Sequence, residues 1–178
     1  MKIYEPLPDS VKVDGKTYRI NTDFRVWLKL LDDVENNKIN YNEIFPIKRP
    51  RTEEAEKVII AFLGGYIEEK QGRKQKSASR REKKVISFSV DAPFIVSAFQ
   101  QCYAIDLLDP KTVLHWWRFR MLLDGLPAET EIKRRIIYRS MDTASIKNKA
   151  ERDRVRKIQN DIALPQEELS DYDIGAVF

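Results

Sequence analysis

The sequence has few of the cysteine and histidine residues that form many metal sites and nucleophilic catalytic sites. Its 178 residues include one cysteine, Cys102, and one histidine, His115. A single cysteine excludes an internal disulfide, and together with a single histidine it excludes zinc sites of the common Cys/His kinds. No glycine cluster matches the phosphate-binding patterns GxGxxG or GxxxxGKS/T. We therefore expect no metal, no cofactor and no bound nucleotide.

Long apolar runs are also missing. No stretch reaches the length that crosses a bilayer, and the N-terminal sequence MKIYEP lacks an apolar signal core. We therefore expect a protein without a membrane partner that stays in the cytoplasm where it is made. The net charge of +4 is compatible with a nucleic-acid partner but does not require one, because a single local run largely sets its sign.

Length and composition predict one mostly helical domain followed by a tail. A chain of 178 residues can bury a core without disulfides, and 42% hydrophobic with 34% charged residues suits a globular protein. We assign residues 1–164 to a single domain and residues 165–178 to a flexible acidic tail. Residues 70–84 contain eight basic side chains, one acidic side chain and no large apolar one, which predicts a mobile basic loop.

Local patterns predict a small N-terminal β-hairpin followed by five or six helices. The dipeptide DG between two alternating segments at 11–20 is a strong hairpin signal. Phe24, Trp27 and Leu28 then open the first of several apolar patterns with helical spacing. Residues 85–90 fit either a short strand or extended chain that leads into the next helix.

The sequence LHWWRFRMLLDGLP at 114–127 predicts the central helix of the fold. It holds two of the three tryptophans and is apolar nearly all round, as a core helix is. Asp109 suits the N-cap position and Pro110 the first helical position, while Gly125 and Pro127 suit the C-terminal end. We therefore expect this helix to begin near Pro110 and the other helices to pack against it.

The two residues with the most reactive side chains are both interpreted as structural. His115 lies beside two tryptophans, and the sequence specifies no partner that would form a catalytic dyad with it. We weigh catalysis by His115 at about one in twenty. Cys102 lies on the apolar face of a predicted helix, where we expect it to be buried as a small hydrophobic side chain. We predict no catalytic residue and no enzyme.

Three features could bind a partner. Arginine beside tryptophan, as in the central helix, is a frequent combination at protein interfaces. We slightly favour the alternative, in which the aliphatic stems of these arginines cover the core and their charged ends reach water. A sixth helix at about 147–162 is highly charged, and its mixed signs favour a salt-bridged exposed helix or a protein partner. The tail alternates apolar and polar residues and could dock on a partner or a second copy, with simple disorder at least as favoured. The candidate partner-binding residues are Arg118, Arg120, Arg152, Arg156, Tyr172, Ile174 and Phe178.

Several motifs resemble a phage tail-gene family. They are NTDFR at 21–25, LHWWRFR at 114–120 leading into DGLP at 124–127, YRSMD at 138–142 and ALP at 163–165. The family is often labelled only by its place in the phage gene order, as the gene-product-fifteen family of long-tailed phages and prophages of Gram-positive bacteria. The similarity covers nearly the whole chain and is weakest at 70–90 and in the tail.

The resemblance implies a role in tail assembly. Such proteins resemble tail assembly chaperones, which coat the tape-measure protein in the host cytoplasm and help recruit tail-tube subunits. They are then shed and are absent from the mature virion. The resemblance supplies no catalytic or ligand residue and leaves self-association open.

Two other functions stay open. A nucleic-acid-binding protein would use the basic loop at 70–84, whose contacts with phosphates would weaken steeply with salt. No aromatic residue is interleaved there for base stacking, so we weigh a solvated loop over nucleic-acid contact by about four to one. A minor structural component of the tail is the other alternative.

Overall fold

The computed structural model of the protein describes residues 3–35, 40–64 and 84–165. Two predicted segments lie almost entirely outside these residues. They are the basic loop at 70–84, except its last residue, and the tail at 165–178, except its first residue. The candidate partner-binding residues Tyr172, Ile174 and Phe178 also lie outside the described residues, so their role stays a prediction.

The described elements are a two-stranded antiparallel sheet, seven α-helices and a 3-10 turn at Thr143–Ser145. The strands are β1 (Ser10–Val13) and β2 (Lys16–Arg19). The helices are α1 (Phe24–Glu35), α2 (Tyr41–Ile44), α3 (Thr52–Gly64), α4 (Ala92–Tyr103), α5 (Trp116–Asp124), α6 (Glu131–Ser140) and α7 (Lys149–Asp161). The predicted mostly α fold with an N-terminal β-hairpin is confirmed. Among these helices, none has the length and apolar character needed to cross a membrane.

The hairpin has the turn that its DG dipeptide predicts. Val13 at the end of β1 pairs with Lys16 at the start of β2. The two residues between them have positive φ values, +48° at Asp14 and +73° at Gly15. Positive φ at both central residues is typical of a type I′ turn, whose twist matches that of the two strands.

The chain divides into two compact units. Unit 1 comprises Met1–Arg80 and Phe99–Leu126, and unit 2 comprises Arg81–Ala98 and Pro127–Phe178. Helix α4 contributes residues to both units. The single domain predicted for residues 1–164 stays a prediction.

The core of unit 1 is a stack of aromatic rings centred on α5. Phe119 has no exposed surface, and its ring stacks on those of Phe24, Phe99 and Trp116 with centroid distances of 5.1, 5.2 and 5.8 Å. Trp116 also stacks on Trp27, at 6.3 Å between centroids. Such offset aromatic pairs add about 0.5–1.5 kcal/mol each beyond the area they bury. The tryptophan-rich helix therefore supplies the centre of this core.

Helix α5 begins later than its sequence predicts. Its first residue is Trp116, so the expectation that Asp109 caps it and Pro110 opens it is wrong. Asp109 instead accepts a hydrogen bond from a backbone N–H two residues further on, within a turn. The carbonyl of Leu114 accepts from the N–H of Phe24 at 3.0 Å. The backbone of His115, just before the helix, is extended, with φ −64° and ψ 138°, so the helix does not continue back towards Pro110.

The prediction that Cys102 is buried is also wrong, because its side chain is exposed. Tyr103 continues the inward face of α4 instead. Its ring meets that of Phe99 edge-on at 5.6 Å between centroids, and its hydroxyl donates to the carbonyl of Leu122 at 2.8 Å. Positions three and four residues after Phe99 both lie near its face, and the larger side chain takes the inward position.

Unit 2 contains the first part of α4 together with α6 and α7, and Ile132 and Val155 are among its buried residues. Residues 84–87 run without regular structure and residues 88–91 turn into α4. The short strand, one of the two predicted alternatives at 85–90, is therefore wrong, and the chain enters the helix through irregular structure and a turn.

Candidate partner-binding surfaces

His115 caps the N-terminus of α5. Its Nδ1 accepts a hydrogen bond from the backbone N–H of Trp117 at 3.1 Å, and its Nε2 lies 3.0 Å from the carbonyl oxygen of Pro8. This pair of contacts requires a neutral ring with its proton on Nε2. Burial lowers the pKa of His115, which favours the same neutral form. Both ring nitrogens therefore hold backbone groups in place.

Two side chains of α5 hold the last turn of α3. The indole Nε1 of Trp117 donates to the carbonyl of Phe62 at 2.7 Å, and the guanidinium of Arg120 donates to the carbonyl of Leu63. These carbonyls lie at a helix end, where they have no partner within the helix. Arg118 is the exposed member of the arginine pair, whereas Arg120 is half-buried. Partner binding by either residue stays a prediction.

Arg25 holds a loop of unit 1 through three backbone carbonyls. Its guanidinium donates to the carbonyl of Thr112 at 2.8 Å, to that of Asp109 at 2.6 Å and to that of Leu107 at 3.2 Å. Sequence reasoning missed this contact. The loop lies more than eighty residues further along the chain, and no local pattern marks an arginine that will bind it.

The loop that Arg25 holds, which we call the 107–113 loop, presents two aliphatic side chains to solvent. Leu108 is 73% exposed and Val113 is 89% exposed. The carbonyl of Asp106 accepts from the hydroxyl of Thr112 at 2.6 Å, and the Asp106 carboxylate accepts from the N–H of Leu108 at 2.8 Å. A loop whose backbone is already fixed loses little conformational entropy on binding, which favours recognition of a partner.

A buried ion pair organises unit 2. Arg139 is 3% exposed, and its Nη1 and Nη2 donate to the two carboxylate oxygens of the fully buried Asp91 at 2.6 and 3.0 Å. The same guanidinium donates to the carbonyls of Val85 at 3.1 Å and Ile162 at 2.7 Å. Arg139 therefore links three parts of unit 2. They are the start of α4 at Asp91, the segment at Val85 and the chain just after α7 at Ile162. Sequence reasoning assigned no role to Arg139.

Helix α7 is mostly exposed, as its sparse apolar stripe predicts. Val155 is buried, whereas Arg156 is exposed. Arg152 is half-buried, and its Nη1 donates to the carbonyl of Ile146 at 3.0 Å. Of the two candidate arginines on this helix, Arg156 is thus the one whose charge faces solvent.

The C-terminal ends of α6 and α7 are joined by a side-chain amide. The Nε2 of Gln159 donates to the carbonyls of Tyr138 at 2.8 Å and Met141 at 2.9 Å. Ile137 and Met141 are each 40% exposed beside this junction. Arg156 lies one helical turn before Gln159, on a neighbouring face of α7. We call Ile137, Met141 and Arg156 the α6–α7 corner.

The described residues combine a mostly helical fold with exposed aliphatic and basic side chains. Within residues 3–35, 40–64 and 84–165, no group of three or more His, Cys, Asp or Glu side chains is placed to hold a metal ion. The polar side chains around both cores bind backbone carbonyls, and the exposed side chains singled out above are aliphatic or basic. These features define a mostly α protein with candidate protein-binding surfaces.

The family follows from comparison with known proteins. A protein-family model described as "Bacteriophage Gp15 protein" matches residues 3–164, so the chain belongs to this family. The matched residues run from the segment before the hairpin to three residues past the end of α7. No curated protein and no solved structure matches the chain. The resemblance to the gene-product-fifteen family is thus confirmed, and the chain is a phage protein.

Proposed function

We propose that this protein is a non-enzymatic tail assembly chaperone that binds the tape-measure protein during phage tail morphogenesis. The observation that carries the proposal is the family match over residues 3–164. As the family resemblance implies, such a chaperone acts in the host cytoplasm, helps recruit tail-tube subunits and is absent from the mature virion.

The 107–113 loop supports this proposal from unit 1. A chaperone for an unassembled helical protein must cover apolar side chains that would otherwise drive aggregation. Leu108 and Val113 supply exposed aliphatic surface on a backbone fixed by Arg25. In unit 2, the exposed charges of α7 add the polar surface that keeps a complex soluble.

The test is co-expression of the full chain with the tape-measure protein, followed by purification of either partner. We expect the two to co-purify, and failure to associate refutes the proposed function. In the double variant Leu108→Ser/Val113→Ser we expect affinity to fall by at least about tenfold, through loss of two apolar contacts. The matched control is Ile47→Ser/Ile60→Ser, which removes two aliphatic side chains of similar exposure (78% and 70%) elsewhere in unit 1.

The outcomes separate the function from the surface. Association that survives both double variants retains the chaperone proposal and excludes the 107–113 loop as its binding surface. Detection of the chain in purified virions favours a minor structural component instead. Co-purification with nucleic acid, lost when Arg80, Arg81, Lys83 and Lys84 are neutralised, favours the nucleic-acid alternative. That alternative depends on the basic loop, most of which lies outside the described residues.

A further inference from the structure

Two apolar side chains are exposed at the end of α6. Met141 is the first residue after α6, and its N–H donates to the carbonyl of Ile137 at 3.1 Å, so the two residues lie one helical turn apart. Each is 40% exposed. The neighbouring carbonyls of Tyr138 and Met141 are already bound by Gln159 of α7. This part of the corner therefore offers apolar surface on a backbone that is fixed.

The tail of the chain begins beside this surface. The Nε2 of Gln159, in the last turn of α7, donates to the carbonyl of Met141 at 2.9 Å, and Ile162 follows three residues later. Pro165 is three residues after Ile162, a distance of about 10 Å at most in extended chain. The described chain therefore ends within reach of the exposed pair.

The net charges of unit 2 and of the tail are opposite in sign. The described residues of unit 2, 84–98 and 127–165, carry eleven lysines and arginines and seven aspartates and glutamates, a net charge of +4. Residues 166–178 carry four acidic residues and no basic one. Arg156 makes no ion pair with any other described residue, and it lies one turn before Gln159 on α7.

We propose that residues 166–178 dock on the α6–α7 corner of the same chain. The apolar residues of the tail, Leu169, Tyr172, Ile174, Val177 and Phe178, cover Ile137 and Met141, and its acidic residues face Arg156. The tail is covalently attached to the same chain, which favours it as the occupant over a second copy. A segment attached so close to its site has an effective concentration of about 1 mM, which a second copy reaches only at that protein concentration.

Methionine oxidation measures the contact in the full chain. Hydrogen peroxide is added to the protein, and the oxidation rates of Met141 and of the half-buried Met121 in unit 1 are read from peptide masses. The test variant is Tyr172→Ser/Ile174→Ser/Phe178→Ser, and the matched control is Ser170→Ala in the same tail. We expect Met141 to oxidise at least about threefold faster in the test variant, which corresponds to docking for about two-thirds of the time in the wild type.

A second arm tests the charge contribution. Arg156→Glu is expected to accelerate Met141 oxidation, whereas the rate of Met121 stays unchanged in every variant and reports that the rest of the fold is intact. Equal Met141 rates in the wild type and the triple tail variant overturn the proposal. Protection of Met141 that grows with protein concentration also overturns it, because it assigns the corner to a second copy.

Discussion

Replacing Asp91 by asparagine tests the ion pair that organises unit 2. The side chain keeps its size but loses the charge that faces Arg139, and both groups are almost fully buried, at 0% and 3% exposure. Removing one member of a buried pair leaves the other charge uncompensated, which costs about 3–5 kcal/mol. Since asparagine can still accept one hydrogen bond from the guanidinium, we expect Asp91→Asn to lose about 3 kcal/mol, near the lower end.

Arg139→Met removes the other member of the same ion pair. This substitution leaves the Asp91 carboxylate without its cation and also removes the donors to the carbonyls of Val85 and Ile162. Loss of the hydrogen bonds to these two half-buried carbonyls should make it more destabilising than Asp91→Asn, by about 1–3 kcal/mol. Asp153→Asn is the matched control, because Asp153 is exposed on α7 and its replacement should stay within about 0.5 kcal/mol.

Thermal unfolding followed by circular dichroism and by tryptophan fluorescence is the assay. For a chain of this length, a loss of about 3 kcal/mol lowers Tm by about 6–12 °C. All three tryptophans, Trp27, Trp116 and Trp117, lie in unit 1, whereas Asp91 lies in unit 2. If residues 1–164 unfold as one cooperative domain, both signals shift together, and if the units unfold separately the fluorescence transition stays in place. A loss below about 1 kcal/mol for Asp91→Asn would refute the reasoning about the pair.

Two further predictions concern unit 1. Because burial lowers the pKa of His115, the unfolded chain binds the proton more readily than the folded one, so stability should fall as the pH drops from about 7.5 to about 5.5. His115→Asn keeps a hydrogen-bond acceptor at the cap but does not titrate. Its urea unfolding midpoint should therefore change less with pH across this range than that of the wild type. An equal change in both proteins contradicts the prediction. Trp27→Phe should cost about 1–2 kcal/mol more than Trp116→Phe in urea unfolding. The Nε1 of Trp27 donates to the carbonyl of Asn21 at 2.7 Å, whereas that of Trp116 is buried without a partner in the described structure, so an equal or larger cost for Trp116→Phe contradicts this account.

The hairpin and the first helix show what short-range pattern can predict. The DG dipeptide determines the turn because both central residues need positive φ, which Asp14 and Gly15 tolerate better than most residues. The spacing of Phe24 and Trp27 predicts their common buried face for the same kind of reason, since both lie within one turn of a helix. Such features depend on neighbours in sequence, and the structure confirms them.

The start of α5 and the exposure of Cys102 show where pattern fails. Asp109 and Pro110 have the chemistry of a helix start, but the carbonyls around them are bound by Arg25 from another part of unit 1. Cys102 and Tyr103 fit the inward face of α4 about equally well, and contacts with Leu122 and Phe99 select Tyr103. In each case two local arrangements compete, and a long-range contact decides between them.

Of the candidate surfaces, the sequence likewise predicted one and missed another. The sequence pointed to exposed charge on α7, and Arg156 is exposed there. It gave no indication of the 107–113 loop, because the exposure of Leu108 and Val113 depends on which neighbouring side chains turn inward. Family membership was readable from the motifs alone, since it depends on residue identity and not on contact.

The sequence by itself determined the mostly α class, the hairpin, most helix positions and the phage family, because these depend on periodicity, turn chemistry and motif. Only the tertiary structure decided which polar side chains hold the fold together. The carbonyls that Arg25 binds lie 82 to 87 residues away, and Arg139 and Asp91 are 48 residues apart. A guanidinium can bind any carbonyl or carboxylate that folding brings within about 3 Å, so no spacing in the sequence marks its partner in advance.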